Sequence, residues 1–106
     1  MRDTFILDEN HNAIPATLME WAKFSEKDRV VKQETINGYF VSTVFLGLIH
    51  SIYEDKLDIF ETMVFDANKK DVYIDRCDTW KEAEACHEKA IEWVKDGCKY
   101  LGTDGT

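Results

Sequence analysis

The stretch from Gly38 to His50 constrains the fold of this chain more than any other, because it lies within the longest run without a charged residue. Its β-branched and aromatic side chains favour a β-strand. Both faces of that strand are mostly apolar, which is typical of a strand inside a sheet that is covered on each side. We therefore predict that it is the central strand. It also places polar groups on a buried element: Ser42, Thr43 and His50.

The neighbouring segments predict an antiparallel sheet. Asn37 and Gly38 form the dipeptide that most strongly favours a tight hairpin, so residues 30–36 are expected to pair with the central strand. Alternating apolar residues and turn residues indicate further strands at 59–65 and 72–76, and an N-terminal hairpin formed by 4–7 and 13–14. The expected sheet is a meander of about four to six strands, including that hairpin.

Two helices complete the predicted α+β fold. Pro15 lies where a short helix can begin, since its fixed φ suits a first turn. Thr79 and Glu82 form a capping box that opens a longer helix, which is expected to run to about Asp96 and to stop at Gly97. Six of its residues share one apolar face: Trp80, Ala83, His87, Ala90, Ile91 and Val94. That face is expected to cover the sheet.

Length and composition limit the function classes. The chain of 106 residues is expected to form one α+β domain over residues 1–97, followed by a loosely held tail at 98–106. The net charge of −8 opposes direct binding to nucleic acid. Three cysteines without a Cys-x-x-Cys spacing, and no apolar run of ~18 residues, predict a reducing, cytoplasmic protein that does not enter a membrane.

Two polar residues on apolar surfaces are open to more than one interpretation. His87 is either a ligand-binding group or general base, or a neutral core histidine that is hydrogen-bonded to the sheet. With the helix over the central strand, it is expected to approach Ser42 or His50. Glu61 either faces solvent or, on a buried face, requires a cation, for which Arg76 on the neighbouring strand is available.

The sequence does not favour catalysis or metal binding. A metal set of His50, Cys77, Cys86 and His87 lacks zinc-type spacing, and neighbouring helical residues point about 100° apart. No Gly-x-Ser-x-Gly elbow and no glycine-rich phosphate loop is present. We therefore predict a protein that is not an enzyme and that uses neither a metal nor a cofactor.

Several motifs together resemble a family of small uncharacterised proteins common in tailed-phage and prophage genomes. They are Val41-Ser-Thr-Val-Phe-Leu-Gly-Leu48 with His50, Phe60-Glu-Thr-Met-Val-Phe65, Arg76, Thr79-Trp80, Glu82-Ala-Glu84 and His87, with Asp8-Glu-Asn and Ile14 to Ala22 in the N-terminal half. The resemblance extends to Lys95 and departs from the family at Ile49, where Asp is frequent, and at Cys77, where an aromatic residue is frequent.

The resemblance implies a phage protein in the host cytoplasm but no established activity. Its polar motif residues are more numerous than a purely structural core requires, and we interpret them as ligand-binding: Ser42, Thr43, His50, Glu61, Thr62, Arg76, Thr79, Glu84 and His87. The first hypothesis is a non-catalytic counter-defence factor that captures a small polar, nucleotide-type signal. Backbone N–H groups at Thr79 supply part of the anion site, and a homo-oligomer completes the pocket.

The second hypothesis is an acidic inhibitor that occupies the basic nucleic-acid channel of a host defence protein. It rests on the net charge, which speeds association with a basic partner. The expected contact residues are Glu54, Asp55, Asp58, Glu88 and Glu92. The same charge is also favourable for solubility alone.

Overall fold

The computed structural model describes residues 4–27, 29–49 and 55–98. The elements in chain order are β1 (Phe5–Leu7), β2 (Ala13–Pro15), α1 (Leu18–Ser25), β3 (Val30–Ile36), β4 (Tyr39–Phe45), β5 (Phe60–Phe65), β6 (Asp71–Cys77) and α2 (Trp80–Lys95). Strands β1 and β2 form a two-stranded antiparallel sheet, and β3 to β6 form a four-stranded sheet in sequence order. Helix α2 contacts all four strands of that sheet. The predicted α+β fold is confirmed.

Two of the hairpins are closed by the same local chemistry. The Asp8 carboxylate accepts hydrogen bonds from the N–H groups of Asn10 and Asn12, and the Asp66 carboxylate accepts from those of Asn68 and Lys70. In the first turn His11 takes a φ of +65°, the left-handed region. An Asp carboxylate that accepts hydrogen bonds from N–H groups two and four residues later stabilises such turns. Both turns are therefore determined by local sequence.

The central strand is shorter than predicted. Strand β4 lies between β3 and β5 as expected, but it ends at Phe45 rather than at His50. Gly47 turns the chain with a φ of +73°, and Leu48 then forms an isolated bridge with Thr4. Apolar residues beyond Phe45 therefore belong to the contact between the two sheets. His50 lies outside the described residues.

The short helix does not begin at Pro15, which belongs to β2. Thr17 caps α1 instead: its hydroxyl accepts a hydrogen bond from the Glu20 N–H, and the Glu20 carboxylate accepts one from the Thr17 N–H. This reciprocal capping box satisfies two N–H groups that a helix start leaves open. The signal of a Thr three residues before a Glu outweighs the preference of proline for a first turn.

Helix α2 matches its predicted bounds closely. The Thr79 hydroxyl accepts from the Glu82 N–H, whereas the Glu82 carboxylate accepts from Asp78 rather than from Thr79. At the other end Gly97 has a φ of +83°, and the N–H groups of Gly97 and Cys98 reach the carbonyls of Val94 and Trp93. This is a Schellman motif. Of the predicted tail only Cys98 is described.

The core beneath α2 consists of two apolar clusters. The first contains Val41, Val64, Ala90, Ile91, Trp93 and Val94, and the second contains Leu7, Phe45, Ile59, Phe60 and Ala83. Between them the sheet and the helix contribute three polar side chains, Thr43, Thr62 and His87, which are at most 1% exposed. We call these three residues the polar layer.

Candidate functional site

The polar layer is a continuous chain of short hydrogen bonds. The Thr43 Oγ1 atom lies 2.7 Å from Thr62 Oγ1 on the neighbouring strand and 2.7 Å from His87 Nδ1 on α2. The His87 Nε2 atom lies 2.8 Å from Glu34 Oε2 on β3. Every polar atom of the imidazole therefore has a partner on the sheet, which agrees with the interpretation of His87 as a hydrogen-bonded core residue.

The charge on Glu34 determines which atoms donate and which accept in these hydrogen bonds. The hydrogen bond from His87, with help from nearby Lys32, holds the pKa of the Glu34 carboxyl below its ordinary value. A carboxylate only accepts hydrogen bonds, so His87 Nε2–H donates to it. When Nδ1 is unprotonated it accepts from the Thr43 hydroxyl, and Thr43 in turn accepts from Thr62. The imidazole is thereby held in one tautomer.

A hydroxyl, an imidazole and a carboxylate in this order are also the parts of a nucleophilic triad. Here, however, Thr43 and His87 are both 0% exposed, so a substrate has no access to the hydroxyl. The Cys77 and Cys86 thiols are equally unsuited to nucleophilic attack, because burial raises the pKa of each. What this arrangement does is hold α2 on the sheet.

Acid should weaken the fold through Glu34. Because its pKa is lowered in the folded state, its carboxylate stabilises the protein above the ordinary value of 4.5. That contribution is lost as the pH falls through the lower folded pKa. In urea titrations at several pH values, Glu34→Gln should reduce the loss of stability below about pH 4.5, whereas Glu92→Gln on the exposed side of α2 should not. Equal pH profiles for the wild type and Glu34→Gln would contradict this assignment.

Three other predicted site residues lie on the opposite face of the sheet. The Ser42 hydroxyl accepts a hydrogen bond from Gln33, and Glu61 pairs with Arg76 at 3.0 Å. Glu61 therefore pairs with the cation that the sequence offered for a buried face, although it lies on the face of the sheet that α2 does not cover. The expected approach of His87 to Ser42 is wrong, because neighbouring residues in a strand point to opposite faces and the one beneath α2 is Thr43.

The remaining predicted ligand residues do not join either group. Thr79 caps α2 with its hydroxyl, and Glu84 lies exposed on that helix. The proposed residue His50 lies outside the described residues. The structure thus brings Thr43, Thr62 and His87 together, but it does not gather the described members of the predicted set around one pocket.

The acidic residues of the second hypothesis are spread along the molecule. The Asp58 N–H donates to the Asp78 carboxylate near the start of α2, whereas Glu92 lies about 18 Å further along that helix at a rise of 1.5 Å per residue. Glu88 already pairs with Lys32 at 3.1 Å. Asp55 is exposed, and Glu54 lies outside the described residues. An inhibitor that uses this acidic set stays a prediction.

A cleft of about 510 Å³ on the described surface was not expected from the sequence. It lies between the turn of the N-terminal hairpin, the end of α1 and the first residue of α2. We call it the hairpin cleft, and its lining residues are Leu7, Asp8, Glu9, His11, Phe24, Lys27, Val30 and Trp80. Its volume is within the range of about 300–1,000 Å³ that is usual for small-molecule sites.

The hairpin cleft combines aromatic and charged groups. The His11 ring stacks on the Trp80 ring with a centroid distance of 3.8 Å and an interplanar angle of 9°. Lys27 contributes an ammonium group, while the Asp8 carboxylate is engaged by the turn, whose Asn12 N–H lowers its pKa. Such a site can hold a flat ring by stacking and a single negative charge by Lys27. Its members come from four separate segments, so no local motif announces it.

Other site types find no support in the part of the chain that the structure describes. Over residues 4–27, 29–49 and 55–98, no three His, Cys, Asp or Glu side chains are grouped as a metal site. None of the helices in these ranges is both long and apolar enough to cross a membrane.

Comparisons of the chain with protein-family models, with curated proteins and with solved structures give no match. The resemblance to small phage proteins therefore stays a prediction, and the function proposed below rests on the geometry of the sites.

Proposed function

We propose that this protein is a non-catalytic phage accessory protein that sequesters a small polar ligand of the nucleotide type, in the role of a counter-defence factor. The hairpin cleft is the proposed binding site, because its volume of about 510 Å³ and its aromatic lining suit such a ligand. The single observation that carries the proposal is the stack of His11 on Trp80 at 3.8 Å. It marks a tryptophan face that accepts a flat heterocycle.

In this proposal the base of the ligand takes the place of the His11 ring. His11 belongs to an exposed turn, so its displacement leaves the sheet and α2 unchanged. Trp80 also contacts Phe60 in the core, whose ring meets it edge to face with centroids 6.4 Å apart. Displacement of the His11 ring makes the Trp80 ring available to a base. Stacking of a base on an aromatic ring contributes about 1–3 kcal/mol.

The charges around the cleft limit the kind of nucleotide. Among the described lining residues Lys27 is the only cation, and Asp8 and Glu9 contribute carboxylates. A polyphosphate requires several Arg and Lys groups, whereas a nucleoside or a cyclic mononucleotide places at most one negative charge near Lys27. We therefore propose cyclic mononucleotides and nucleosides as the ligand class.

Isothermal titration calorimetry with nucleosides and cyclic mononucleotides tests this function. Trp80→Leu should lower the affinity for all bound members about 5- to 150-fold, because it removes stacking worth about 1–3 kcal/mol. Lys27→Gln should lower the affinity for cyclic mononucleotides about tenfold, equivalent to about 1.4 kcal/mol, and leave the affinity for nucleosides unchanged. Lys23→Gln, a neutralised lysine on α1 outside the cleft, is the matched control.

A thermal melt of each variant separates loss of binding from loss of folding. Absence of heat for every compound at millimolar concentration would refute the proposed ligand class. Binding that is indifferent to both Trp80→Leu and Lys27→Gln would show that the ligand occupies another part of the molecule.

A further inference from the structure

The side chain that covers the hairpin cleft is a histidine whose backbone is held independently of its ring. The His11 N–H donates to the Asp8 carbonyl at 3.0 Å. The Asp8 carboxylate accepts from the N–H groups on either side of His11, those of Asn10 and Asn12. These hydrogen bonds hold the turn without using the imidazole. The ring can therefore rotate away from Trp80 about its own side-chain bonds while the hairpin stays intact.

A ring held in this way competes with a ligand for the same tryptophan face. The His11 and Trp80 rings lie 3.8 Å apart and nearly parallel, so no second ring fits between them. The face is accessible only in those molecules whose His11 ring has moved away, and the measured affinity is the intrinsic affinity reduced by that fraction. A stacked aromatic pair is strong enough to lower the measured affinity about two- to tenfold.

The protonation state of His11 changes the strength of this stack. Imidazole gains its proton between about pH 5 and 8, and the face of a tryptophan ring attracts a cation electrostatically. The charged groups that line the cleft around the ring are the Asp8 and Glu9 carboxylates of its own turn and the Lys27 ammonium after α1. Helix α2 contributes the uncharged Trp80. Two carboxylates against one ammonium make these surroundings net negative, which attracts an imidazolium further.

We propose that His11 is a proton-controlled cover of the hairpin cleft, which closes more firmly on Trp80 in acid and admits the ligand more readily as the pH rises. This inference rests on the proposed function, because the ligand is the one assigned to this cleft. Nucleosides report the effect most directly, since they carry no charge that a displaced imidazolium would attract. Carboxyl groups and lysines ordinarily titrate outside the range of about pH 5.5–7.5, whereas imidazole titrates within it.

Calorimetry with nucleosides at about pH 5.5 and about pH 7.5 tests the cover. The wild type should bind about two- to fivefold more weakly at the lower pH, because an imidazolium leaves the Trp80 face less readily. His11→Asn removes the ring but suits the φ of +65°. It should bind about two- to tenfold more tightly than the wild type, without a pH dependence. His11→Phe is the matched control: it keeps a ring that cannot be protonated, so the low affinity should remain and the pH dependence should disappear.

Proton NMR follows the stack without a ligand, and thermal melts verify that both variants fold. Nuclear Overhauser contacts between the His11 and Trp80 rings should be stronger at the lower pH, and their absence at both pH values would overturn the cover. Nucleoside binding that neither pH nor His11→Asn changes would overturn the cover while the proposed function stands. Weaker binding by His11→Asn would show that the ring is part of the binding site instead. Absence of binding to both the wild type and His11→Asn would refute the proposed function and the cover with it.

Discussion

Gly47→Ala is expected to be strongly destabilising, lowering the free energy of unfolding by about 4 kcal/mol. A Cβ atom at Gly47 would lie 2.6 Å from the Trp21 ring and 2.7 Å from the Phe5 carbonyl oxygen. The Gly47 carbonyl accepts the Phe5 N–H, and the adjacent Leu46 carbonyl accepts the Trp21 Nε1–H. The N-terminal hairpin, α1 and the sheet meet at this residue, so none can withdraw alone.

Gly38→Ala separates the steric effect from backbone strain. Gly38 also has a positive φ, +83°, but a methyl group added there would meet no atom within 4 Å. The Gly38→Ala variant should therefore be destabilised by about 1–2 kcal/mol, which is the cost of a left-handed backbone for a residue with a Cβ atom. Urea unfolding of the two variants measures the difference. Similar losses at Gly38 and Gly47 would show that the contact with Trp21 and Phe5 relaxes without much effect on the fold.

His87→Leu is expected to lower the free energy of unfolding by about 2 kcal/mol. Leucine fills much of the volume of the imidazole, but it leaves the Thr43 hydroxyl buried with Thr62 as its remaining partner. It also removes the donor that Glu34 uses. Equilibrium unfolding in urea measures the loss, with nucleotide binding as a second readout. Because the polar layer is separate from the hairpin cleft, binding should persist in the folded variant.

A triple variant tests whether unsatisfied groups cause that loss. Thr43→Val and Thr62→Val replace the buried hydroxyls by methyl groups of similar shape, and removing all partners together is nearly neutral in many proteins. The combination of both with His87→Leu should therefore be more stable than His87→Leu alone. A triple variant that is less stable would show that packing around the imidazole, and not its hydrogen bonds, dominates.

The elements of this fold were largely predictable because their signals are local. Asn37 and Gly38 indicate the β3–β4 hairpin, and Asp8 and Asp66 favour two further turns. Thr79 and Gly97 indicate where α2 begins and ends. The start of α1 was predicted wrongly because two local signals competed. Pro15 favours a helix start, but the box of Thr17 and Glu20 lies two residues later, and the chain follows the motif that satisfies more backbone groups.

The sites were less predictable because they depend on distant segments. Alternation along β4 places Ser42 and Thr43 on opposite faces of the strand. It does not reveal which face α2 covers, since both faces are mostly apolar. The wheel of α2 placed His87 on the buried side correctly, yet its partner Glu34 is 53 residues away in sequence. The contact of His11 with Trp80 depends on how the hairpin docks, which no pattern in either segment records.

The polar layer also has a consequence for alignment of the helix. The clusters on either side of it are both apolar, and the hydrophobic effect, which is not directional, distinguishes only weakly between neighbouring positions of α2. A shift by one turn, about 5.4 Å, would move the imidazole from the Thr43 hydroxyl into a wholly apolar cluster. A single buried polar contact can thus select one alignment among several of nearly equal packing energy. We therefore expect His87 to favour the observed position of α2 over one shifted by a turn along the sheet.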